Sequence, residues 1–557
     1  MQSQPKILHY ANIEDEATDN AYEVFRFYKV DGAAGTAHIP RQSAFDPKEV
    51  LKELRRRNAN LPSDEKAASR LISEAIKSEP RRAQLHCEAT GWREGFDAFV
   101  TPSRVIDTRQ RERILLPPMR LSKEQRRRQG SAGSLDRWRA VPEICGYSDL
   151  GMLLLSASFA ASILAIASRG SFGLNVYARS KTGKSAMLVA GSSVSGSGEE
   201  SELPSWNDTV LALGEKARHH KDILFPINET GSLRRSEAFE SIRQAIYALT
   251  EGRERDRHSA SGYAISDSSA LTRTIFVSST ERSMEAYAGS ANQSRDEGEL
   301  ARCLDVAATR AGRATVMDRF PDHLDPHQSE EWARRQLARL RDLCRDNHGL
   351  AVEPFVRHLM KDIPRVRREI GEDVEWFAHR YRPRQLSGAA AHAFDNVAMI
   401  FAGGSIAIDA DLLPYDKEEL AAAIWRCTRD SIPTSNPQRD PLTRAERDLR
   451  VGMRKARVYH SAQDGRFDSE RFEGFVTKRQ GRTTYVVRTK DFRAWFDDGD
   501  PLALGRALAW LQQRGCLRAR RARATAARRP ADWASRTVIW PDRRAVRSIE
   551  FFNPFQG

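Results

Sequence analysis

A strand, a loop and a helix follow one another directly in one short stretch of this chain. Residues 172–177 (FGLNVY) form an apolar run of strand-forming residues, residues 178–185 read ARSKTGKS, and the apolar AMLVA follows. A loop of this composition turns backbone N–H groups toward an anion, and the positive end of the next helix attracts the same anion. The sequence therefore predicts a phosphate-binding loop on a parallel sheet that is flanked by helices.

The residues of this loop have distinct predicted roles. Gly183 allows close approach of the backbone to phosphate, Lys184 reaches the β and γ oxygens, and the Ser185 hydroxyl is a ligand for Mg²⁺. Ala178 stands where the G-x-x-x-x-G-K-[ST] pattern has its first Gly, and Ala restricts φ there. We expect ATP and Mg²⁺ as cofactors. The predicted nucleotide-binding residues are Ala178, Arg179, Ser180, Lys181, Thr182, Gly183, Lys184 and Ser185.

A second apolar run, residues 222–227, ends in Asn228 and Glu229. On a parallel sheet these two would lie near the loop, with Asn228 as a ligand of Mg²⁺ and Glu229 orienting the attacking water. Asn228 occupies the place where an Asp is expected, and an amide oxygen is a weaker, uncharged partner for Mg²⁺. Pro226 is unfavourable in a central strand because it cannot donate a ladder hydrogen bond. The pattern therefore supports binding more directly than hydrolysis.

A third run, residues 274–277, is followed by the polar residues 278–281. Ser279 in this group is predicted to help position the water beside the γ-phosphate, and the alternative that these residues only cap a strand stays open. Further along, Arg302 in GELARCLD lies where a neighbouring subunit's γ-phosphate could meet it as an arginine finger.

With 557 residues the chain is long enough for several domains. Changes in hydrophobic periodicity divide it, and the fold class is α/β. The predicted regions are a small mixed α/β domain (1–82), a β-rich piece with a basic connector (83–134), a P-loop core with a parallel sheet (135–325), a helical lid region (326–432) and a basic winged-helix-like domain (433–557).

The net charge of +14 favours a polyanionic partner and does not by itself distinguish a nucleic acid from an anionic membrane surface. Two arginine-rich stretches are candidate contacts to DNA phosphates, and a solvated charged loop is the alternative for the first. The predicted DNA-binding residues are Arg253, Arg255, Arg257, Arg518, Arg520, Arg521 and Arg523.

Residues 151–167 carry no charge over 17 positions, which is at the short limit for a membrane span. Three serines and many small residues favour a buried helix instead. The N-terminus has no basic and apolar leader pattern, and the six cysteines form no C-x-x-C pair. We therefore expect a cytoplasmic protein without a membrane partner.

A set of short motifs follows in a recognisable order. They are Gly91-Trp92, residues 99–102 (FVTP), residues 133–135 with Trp138, the phosphate loop, residues 206–209 (WNDT) with Glu215, Asn228-Glu229, residues 278–281 and residues 298–302 (GELAR). This order resembles the Cch-like helicase family of mobile genetic elements, whose shared domain was long of unknown function. That family has Gly at the position of Ala178 and Asp at that of Asn228.

The resemblance implies an AAA+ core similar to that of the MCM helicases, working as a hexameric ring, with a C-terminal winged-helix domain. It also implies that ATP lies between subunits, with Lys184, Ser185 and Glu229 from one subunit and Arg302 from the next.

Two functions from different classes remain open. The first is an ATP-driven DNA motor, a replicative-type DNA helicase of a mobile genetic element that hydrolyses ATP at subunit interfaces. The second is a nucleotide-binding DNA scaffold or initiator-like regulator with weak or no hydrolysis, which Ala178, Pro226 and Asn228 favour.

Overall fold

A computed structural model describes most of the chain, and the structural statements below concern the residues that it describes. These are residues 6–16, 20–78, 80, 82–108, 113–117, 130–206, 208–228, 238–251, 272–290, 295–310, 313–384, 386, 388–432, 441–460, 467–479, 481–496, 503–518 and 535–554.

The strands, in chain order, are β1 (Ile7–Asp15), β2 (Asn20–Tyr28), β3 (Ala34–Pro40), β4 (Ala83–His86), β5 (Gly91–Trp92), β6 (Ala98–Val100), β7 (Val105–Asp107), β8 (Arg113–Leu116), β9 (Phe172–Tyr177), β10 (Leu224–Ile227), β11 (Ile275–Thr280), β12 (Cys303–Ala307), β13 (Val458–His460), β14 (Gly474–Arg479), β15 (Arg482–Arg488), β16 (Ser535–Ile539) and β17 (Ala545–Phe552).

The α-helices, in chain order, are α1 (Arg41–Ala44), α2 (Pro47–Arg56), α3 (Glu65–Lys77), α4 (Leu135–Trp138), α5 (Ala140–Cys145), α6 (Asp149–Ile163), α7 (Lys184–Ser192), α8 (Val210–Arg218), α9 (Ala238–Glu251), α10 (Met284–Ser290), α11 (Glu297–Arg302), α12 (Pro326–Asp346), α13 (Val352–Met360), α14 (Ile363–Tyr381), α15 (Gly388–Asp409), α16 (Lys417–Thr428), α17 (Pro441–Lys455), α18 (Thr489–Ala494) and α19 (Ala503–Gln513).

The N-terminal region is a mixed sheet in the order β3-β2-β1-β4-β8, with helices α2 and α3 packed on it. The alternation in β1 buries every second side chain, as a strand with one covered face requires. Helix α2 begins after Asp46, whose carboxylate accepts a hydrogen bond from the Lys48 N–H at 2.8 Å. The sequence predicts a strand from the alternation of residues 21–30 and a capped helix from Asp46, which stands three residues before Glu49. Strand β2 and helix α2 confirm both predictions.

A small sheet of order β5-β6-β7 attaches to the central region through Gly91 and Trp92. The Trp92 backbone N–H donates to the buried Asp222 carboxylate at 3.0 Å, and its indole N–H donates to the Ser162 carbonyl oxygen at 2.7 Å. Gly91 has φ +91°, and a Cβ there would lie 2.4 Å from Asp222 Oδ2 and 2.8 Å from the Lys221 carbonyl oxygen. A residue without a side chain is therefore required at this contact.

The central sheet consists of four parallel strands in the order β10-β11-β9-β12. This agrees with the predicted parallel α/β sheet. Helix α6, which falls in the uncharged stretch of the sequence, is buried along its whole length and packs against α7, α15 and α16. The expectation of a buried helix at this place is confirmed.

Helices α12 to α16 form the region that the sequence predicts as helical. Within the described part of the chain, α15 is the one helix that has the length and composition of a membrane span. Most of its apolar window, 78%, is buried inside the structure, where it packs against α6, α14 and α16. Core helices of this kind meet the same criteria of length and composition.

The C-terminal region holds a sheet of order β13-β14-β15-β17-β16 with helices α17, α18 and α19. Strands β14 and β15 form an antiparallel hairpin whose turn includes Gly481 at φ +72°. Helix α19 buries Leu508 and Leu511, and Gly515 at φ +64° follows its end. The sequence predicts a strand pair in residues 471–489 that turns near Gly481 and a helix in residues 501–515 that stops at Gly515. Both are found. The structure is mixed α/β overall.

We expect Gly91→Ala to lower the thermal unfolding midpoint more than Gly95→Ala does. Both positions have positive φ, so both substitutions carry the left-handed backbone penalty of about 1 to 2 kcal/mol. A Cβ at Gly95 has no heavy atom within 4 Å, whereas one at Gly91 collides with Asp222 and with backbone. Thermal shift measurements on the two variants compare them directly. Equal midpoints would show that the Gly91 contact does not constrain the fold.

Candidate nucleotide site

The loop between β9 and α7 has a compact conformation around the Lys184 side chain. Lys184 is buried, and its Nζ donates to the carbonyl oxygens of Ala178 at 2.8 Å and Arg179 at 2.9 Å. Lys181 and Gly183 have φ of +65° and +104°. A left-handed conformation at a non-glycine residue costs about 1 to 3 kcal/mol, and such strain is typical of functional loops.

The first position of the loop tolerates Ala without backbone strain. The positive φ values fall at Lys181 and Gly183, so position 178 does not require the conformation that glycine favours. The Ala178 N–H donates to the Thr280 carbonyl oxygen at 3.3 Å. The restriction on φ that the sequence analysis expects from Ala178 is therefore not a defect of this loop.

A segment that follows β12 supports the loop from one side. The Ala308 N–H donates to the Tyr177 carbonyl oxygen at 2.9 Å, and the Val316 N–H donates to the Thr182 carbonyl oxygen at 3.0 Å. A Cβ on Gly183 would lie 2.8 Å from the Leu337 side chain of α12 and 2.9 Å from that of Val316. The loop is thus held between the sheet and the first helix of the helical region.

The strand registers bring Asn228 and Ser279 to the same edge of the sheet as the loop. Ile227 is aligned with Ser278 on the neighbouring strand, and Ser279 is aligned with Val176 of β9. Because carboxyl ends of parallel strands meet at one edge, Asn228 and Ser279 lie beside each other near the start of the loop. The structure therefore brings these two predicted residues together with Lys184 and Ser185.

Strand alternation also places Asn228 and Ser279 on the face that carries α7. Leu224 and Val277 belong to the same buried cluster as Leu188 of α7, and side chains two residues apart on a strand share a face. Ser278 faces the other way, where its hydroxyl accepts a hydrogen bond from the Trp206 indole N–H at 2.6 Å. Ser279 is thus the hydroxyl of this strand end that lies on the loop side.

Asn228 is held by the chain segment that follows α7. Its backbone N–H donates to the Pro204 carbonyl oxygen at 2.7 Å, and its side-chain Nδ2 donates to Glu200 Oε1 at 3.1 Å. Its Oδ1 is shielded from solvent and has no hydrogen-bond partner among the described residues. A buried carbonyl oxygen without a donor is energetically costly unless a further group binds it.

Pro226 lies in an edge strand rather than the central strand that the sequence analysis considers. Strand β10 is at the end of the sheet order, and Asn228 directs its N–H outward to Pro204. Pro226, two residues earlier, has its nitrogen on the same outer side, so it removes no hydrogen bond to β11. The sequence does not show which strand lies at the side of the sheet. The place of β10 in the strand order decides whether Pro226 removes a hydrogen bond of the sheet.

Arg302 lies at the end of the sheet where the parallel strands begin, whereas the loop lies at the end where they finish. It precedes β12, whose first residue Cys303 is aligned with Gly173, four residues before the end of β9. That separation along a strand is about 13 Å at 3.3 Å per residue. The Arg302 guanidinium donates to the Gly298 carbonyl oxygen at 3.2 Å and lies 4.6 Å from the Tyr247 ring centroid. The structure does not bring Arg302 to the loop of its own chain.

A charged cluster near the loop is not among the residues that the sequence analysis singles out. Asp149, at the start of α6, has a buried carboxylate that accepts from Arg319 at 2.7 Å and from two nitrogens of Arg426 at 2.7 and 2.8 Å. Arg310 also pairs with it, and the Asp149 N–H donates to Asp318 at 2.8 Å. In the sequence, the sign of this cluster is a single carboxylate, Asp149, at the start of an otherwise uncharged helical run.

This cluster, defined by Asp149, Arg310, Asp318, Arg319 and Arg426, joins three parts of the fold. Arg310 lies on the segment that runs along the loop, and Arg426 lies on α16. Burial raises the pKa of Asp318, and the nearby arginines oppose that increase. The cluster thus connects the loop-supporting segment to α6 and to the helical region.

One of the predicted DNA-binding residues, Arg518, lies within the described part of the C-terminal region. Arg518 is described, and its guanidinium donates to the buried carboxylate of Glu550 at 3.1 Å. This contact gives Arg518 a role inside the C-terminal region. The predicted residues Glu229, Arg253, Arg255, Arg257, Arg520, Arg521 and Arg523 lie outside the described residues.

Comparisons with known proteins give a family model and a similar fold. Residues 4–268, just under half of the chain, match the family model described as a domain of unknown function (DUF927). A search of curated proteins found no match. The solved structure titled "SCCmec type IV Cch - active helicase" is similar over 93% of this chain and 91% of that chain, with a TM-score of 0.52 and 13% identity. The two chains share a fold over nearly their full lengths.

A second solved structure is titled "The A form apo structure of NrS-1 C terminal region-CTR". It covers 66% of this chain and 76% of that chain, with a TM-score of 0.24 and 7% identity. A similarity at this level supports no structural conclusion.

We expect Asp149→Asn to destabilise the protein by about 3 to 5 kcal/mol, because it leaves three guanidinium groups around a neutral, buried amide. Asp411→Asn is the matched control, since it removes an Asp–Arg pair whose carboxylate is 92% exposed. The thermal unfolding midpoint should fall for the first variant and stay unchanged for the second. Similar midpoints for both variants would mean that the cluster does not stabilise the fold.

Proposed function

We propose that this protein is an ATP-driven DNA motor of the helicase type, with a P-loop AAA+ core that uses Mg²⁺. The observation that carries the proposal is that the loop, Asn228 and Ser279 lie at the same end of the parallel sheet. Strand β11 separates the loop strand β9 from β10, which Asn228 follows, so Ser279 of β11 lies between the loop and Asn228. This order is consistent with an AAA+ ATPase, and that inference is by analogy of fold.

The residues of the site fit Mg²⁺ and ATP. The N-cap of α7 is Gly183, which has no side chain to cap the helix, so the N–H groups of the first turn remain suited to phosphate oxygens. The unpartnered Asn228 Oδ1 and the Ser185 hydroxyl are oxygen ligands of the type that Mg²⁺ takes. When bound, ATP with Mg²⁺ supplies the phosphoanhydride bond that is cleaved.

The side chains have separate roles in this proposal. Lys184 exchanges its two loop carbonyl acceptors for phosphate oxygens, which are stronger acceptors because they are charged. Ser279 and Glu229 hold and orient the attacking water, with Glu229 as the base that takes its proton. Asn228 and Ser185 hold the metal side of the site.

The position of Arg302 supports assembly into a ring. Because it lies at the edge of the sheet opposite its own loop, it can meet a γ-phosphate only in another copy of the chain. We therefore propose a homo-oligomeric, hexameric ring with ATP between subunits, in which Arg302 acts as an arginine finger.

The assignment to DNA has independent support from charge and from fold. The chain has a net charge of +14, and the structure with the shared fold is titled an active helicase. We propose that Arg253, Arg255 and Arg257 contact single-stranded DNA in a central pore. The winged-helix-like C-terminal region contacts duplex or forked DNA through Arg520, Arg521 and Arg523. We also propose a replicative role in a mobile genetic element, which the resemblance implies, and a cytoplasmic location.

A nucleotide-binding DNA scaffold or initiator-like regulator is the second candidate. Asn228 is the observation that favours it, because an amide in place of a carboxylate reduces the negative charge available to Mg²⁺. The two other features that favour it in the sequence, Ala178 and Pro226, cause no strain or lost hydrogen bond in the structure.

Steady-state ATP hydrolysis by the full-length protein, with and without single-stranded DNA, separates the two functions. We expect hydrolysis that rises with DNA and falls at least 100-fold in Lys184→Ala, because the lysine stabilises charge on the transferred phosphoryl group. Lys361→Ala, at an exposed lysine that directly follows helix α13, is the control and should match the wild type. ATP binding without hydrolysis would instead support the scaffold.

The DNA contact is tested by the salt dependence of binding to single-stranded and to forked DNA. Replacement of Arg520, Arg521 and Arg523 by Ala should weaken binding to the fork and lower the slope of log K against log salt by about 2 to 3. Loss of ionic contacts to phosphates causes this change. A slope equal to that of the wild type would remove these residues from the proposed interface.

A further inference from the structure

We propose that Glu200 is a positioning residue for Asn228, and that the two together replace the carboxylate that a P-loop ATPase places at this strand end. This inference rests on the proposed function and deepens it. Glu200 begins a short 3₁₀ turn, Glu200–Glu202, in the segment between α7 and α8. Its carboxylate accepts the hydrogen bond from Asn228 Nδ2 at 3.1 Å.

The orientation of the Asn228 amide follows from this hydrogen bond. An amide has a donor end and an acceptor end, and a carboxylate can bind only the donor end. With Nδ2 directed to Glu200, Oδ1 points away from it and is shielded from solvent without a partner in the described part of the chain. Strand alternation places this side chain on the face of α7, the helix that begins at Lys184.

The backbone around Glu200 makes this contact a built feature. The Asn228 N–H donates to the Pro204 carbonyl oxygen, and Ser205 forms a parallel bridge with Asn228. The segment therefore meets the chain at Asn228, directly after the end of β10, and the turn that carries Glu200 precedes this contact. Both the main chain and the side chain of Asn228 are fixed by the same segment.

The charge of the pair explains how an amide can serve at this position. A neutral amide oxygen attracts Mg²⁺ more weakly than a carboxylate does. A carboxylate hydrogen-bonded to the amide polarises it and supplies one negative charge at the next bond outward. Groups in this outer position typically change metal affinity by about 10- to 100-fold.

A double-mutant set on the full-length protein tests this inference. Glu200→Gln keeps an acceptor for Nδ2 and removes the charge. The swap Glu200→Gln with Asn228→Asp returns one carboxylate and one amide to the pair. Glu199→Gln, at the preceding acidic residue, is the matched control, because its carboxylate accepts from Ser201 and not from Asn228. The readout is the dissociation constant of ATP, measured once with Mg²⁺ and once with a chelator.

We expect Glu200→Gln to weaken Mg²⁺-dependent ATP binding by about tenfold and to leave binding in chelator unchanged. The swap should recover most of that loss, whereas Glu199→Gln should match the wild type. Asn228→Asp alone should bind ATP with Mg²⁺ less tightly than the swap variant does, because it sets two carboxylates about 3 Å apart.

Two results would overturn the inference while leaving the proposed function in place. They are a Glu200→Gln variant that behaves like Glu199→Gln, and a swap that binds no better than Glu200→Gln. A wild-type protein whose ATP affinity equals that of Lys184→Ala would overturn the proposed function itself, and the inference with it.

Discussion

The burial of helix α6 is the constraint on which the rest of the structure depends. The helix has no charge beyond its first residue, so it must be covered on all sides, and α7, α15 and α16 cover it. The contact is close, since a Cβ on Gly403 of α15 would lie 2.4 Å from Ala160. Covering α6 therefore brings the helical region against the helix that follows the phosphate loop.

The same helix also begins with a buried negative charge, which pairs with arginines from other parts of the fold. Asp149 stands at its first turn and collects the guanidinium groups of residues from the loop-supporting segment and from α16. A buried carboxylate is stable only with such partners. The loop, the sheet edge and the helical region are thereby tied into one arrangement, and the side chains of Leu337 and Val316 pack against the left-handed backbone at Gly183.

Much of the architecture could be predicted from the sequence because it depends on neighbouring residues. The order of strand, loop and helix, the capped helix after Asp46, the hairpin at Gly481 and the uncharged buried helix all follow from local patterns. The consequences of Ala178 and Pro226 could not be predicted. They depend on which loop residue adopts positive φ and on which strand lies at the edge, and packing of the whole sheet decides both.

By itself the sequence determined the chemistry of the phosphate loop, since Gly183, Lys184 and Ser185 act through a single continuous stretch of backbone. The tertiary structure decided which distant groups join that loop. Glu200 meets Asn228 across 28 positions, and Asp149 meets Arg426 across 277. Arg302 lies on the far edge of the sheet because β12 runs parallel to β9. Such pairings depend on strand order and register, which no local pattern of residues contains.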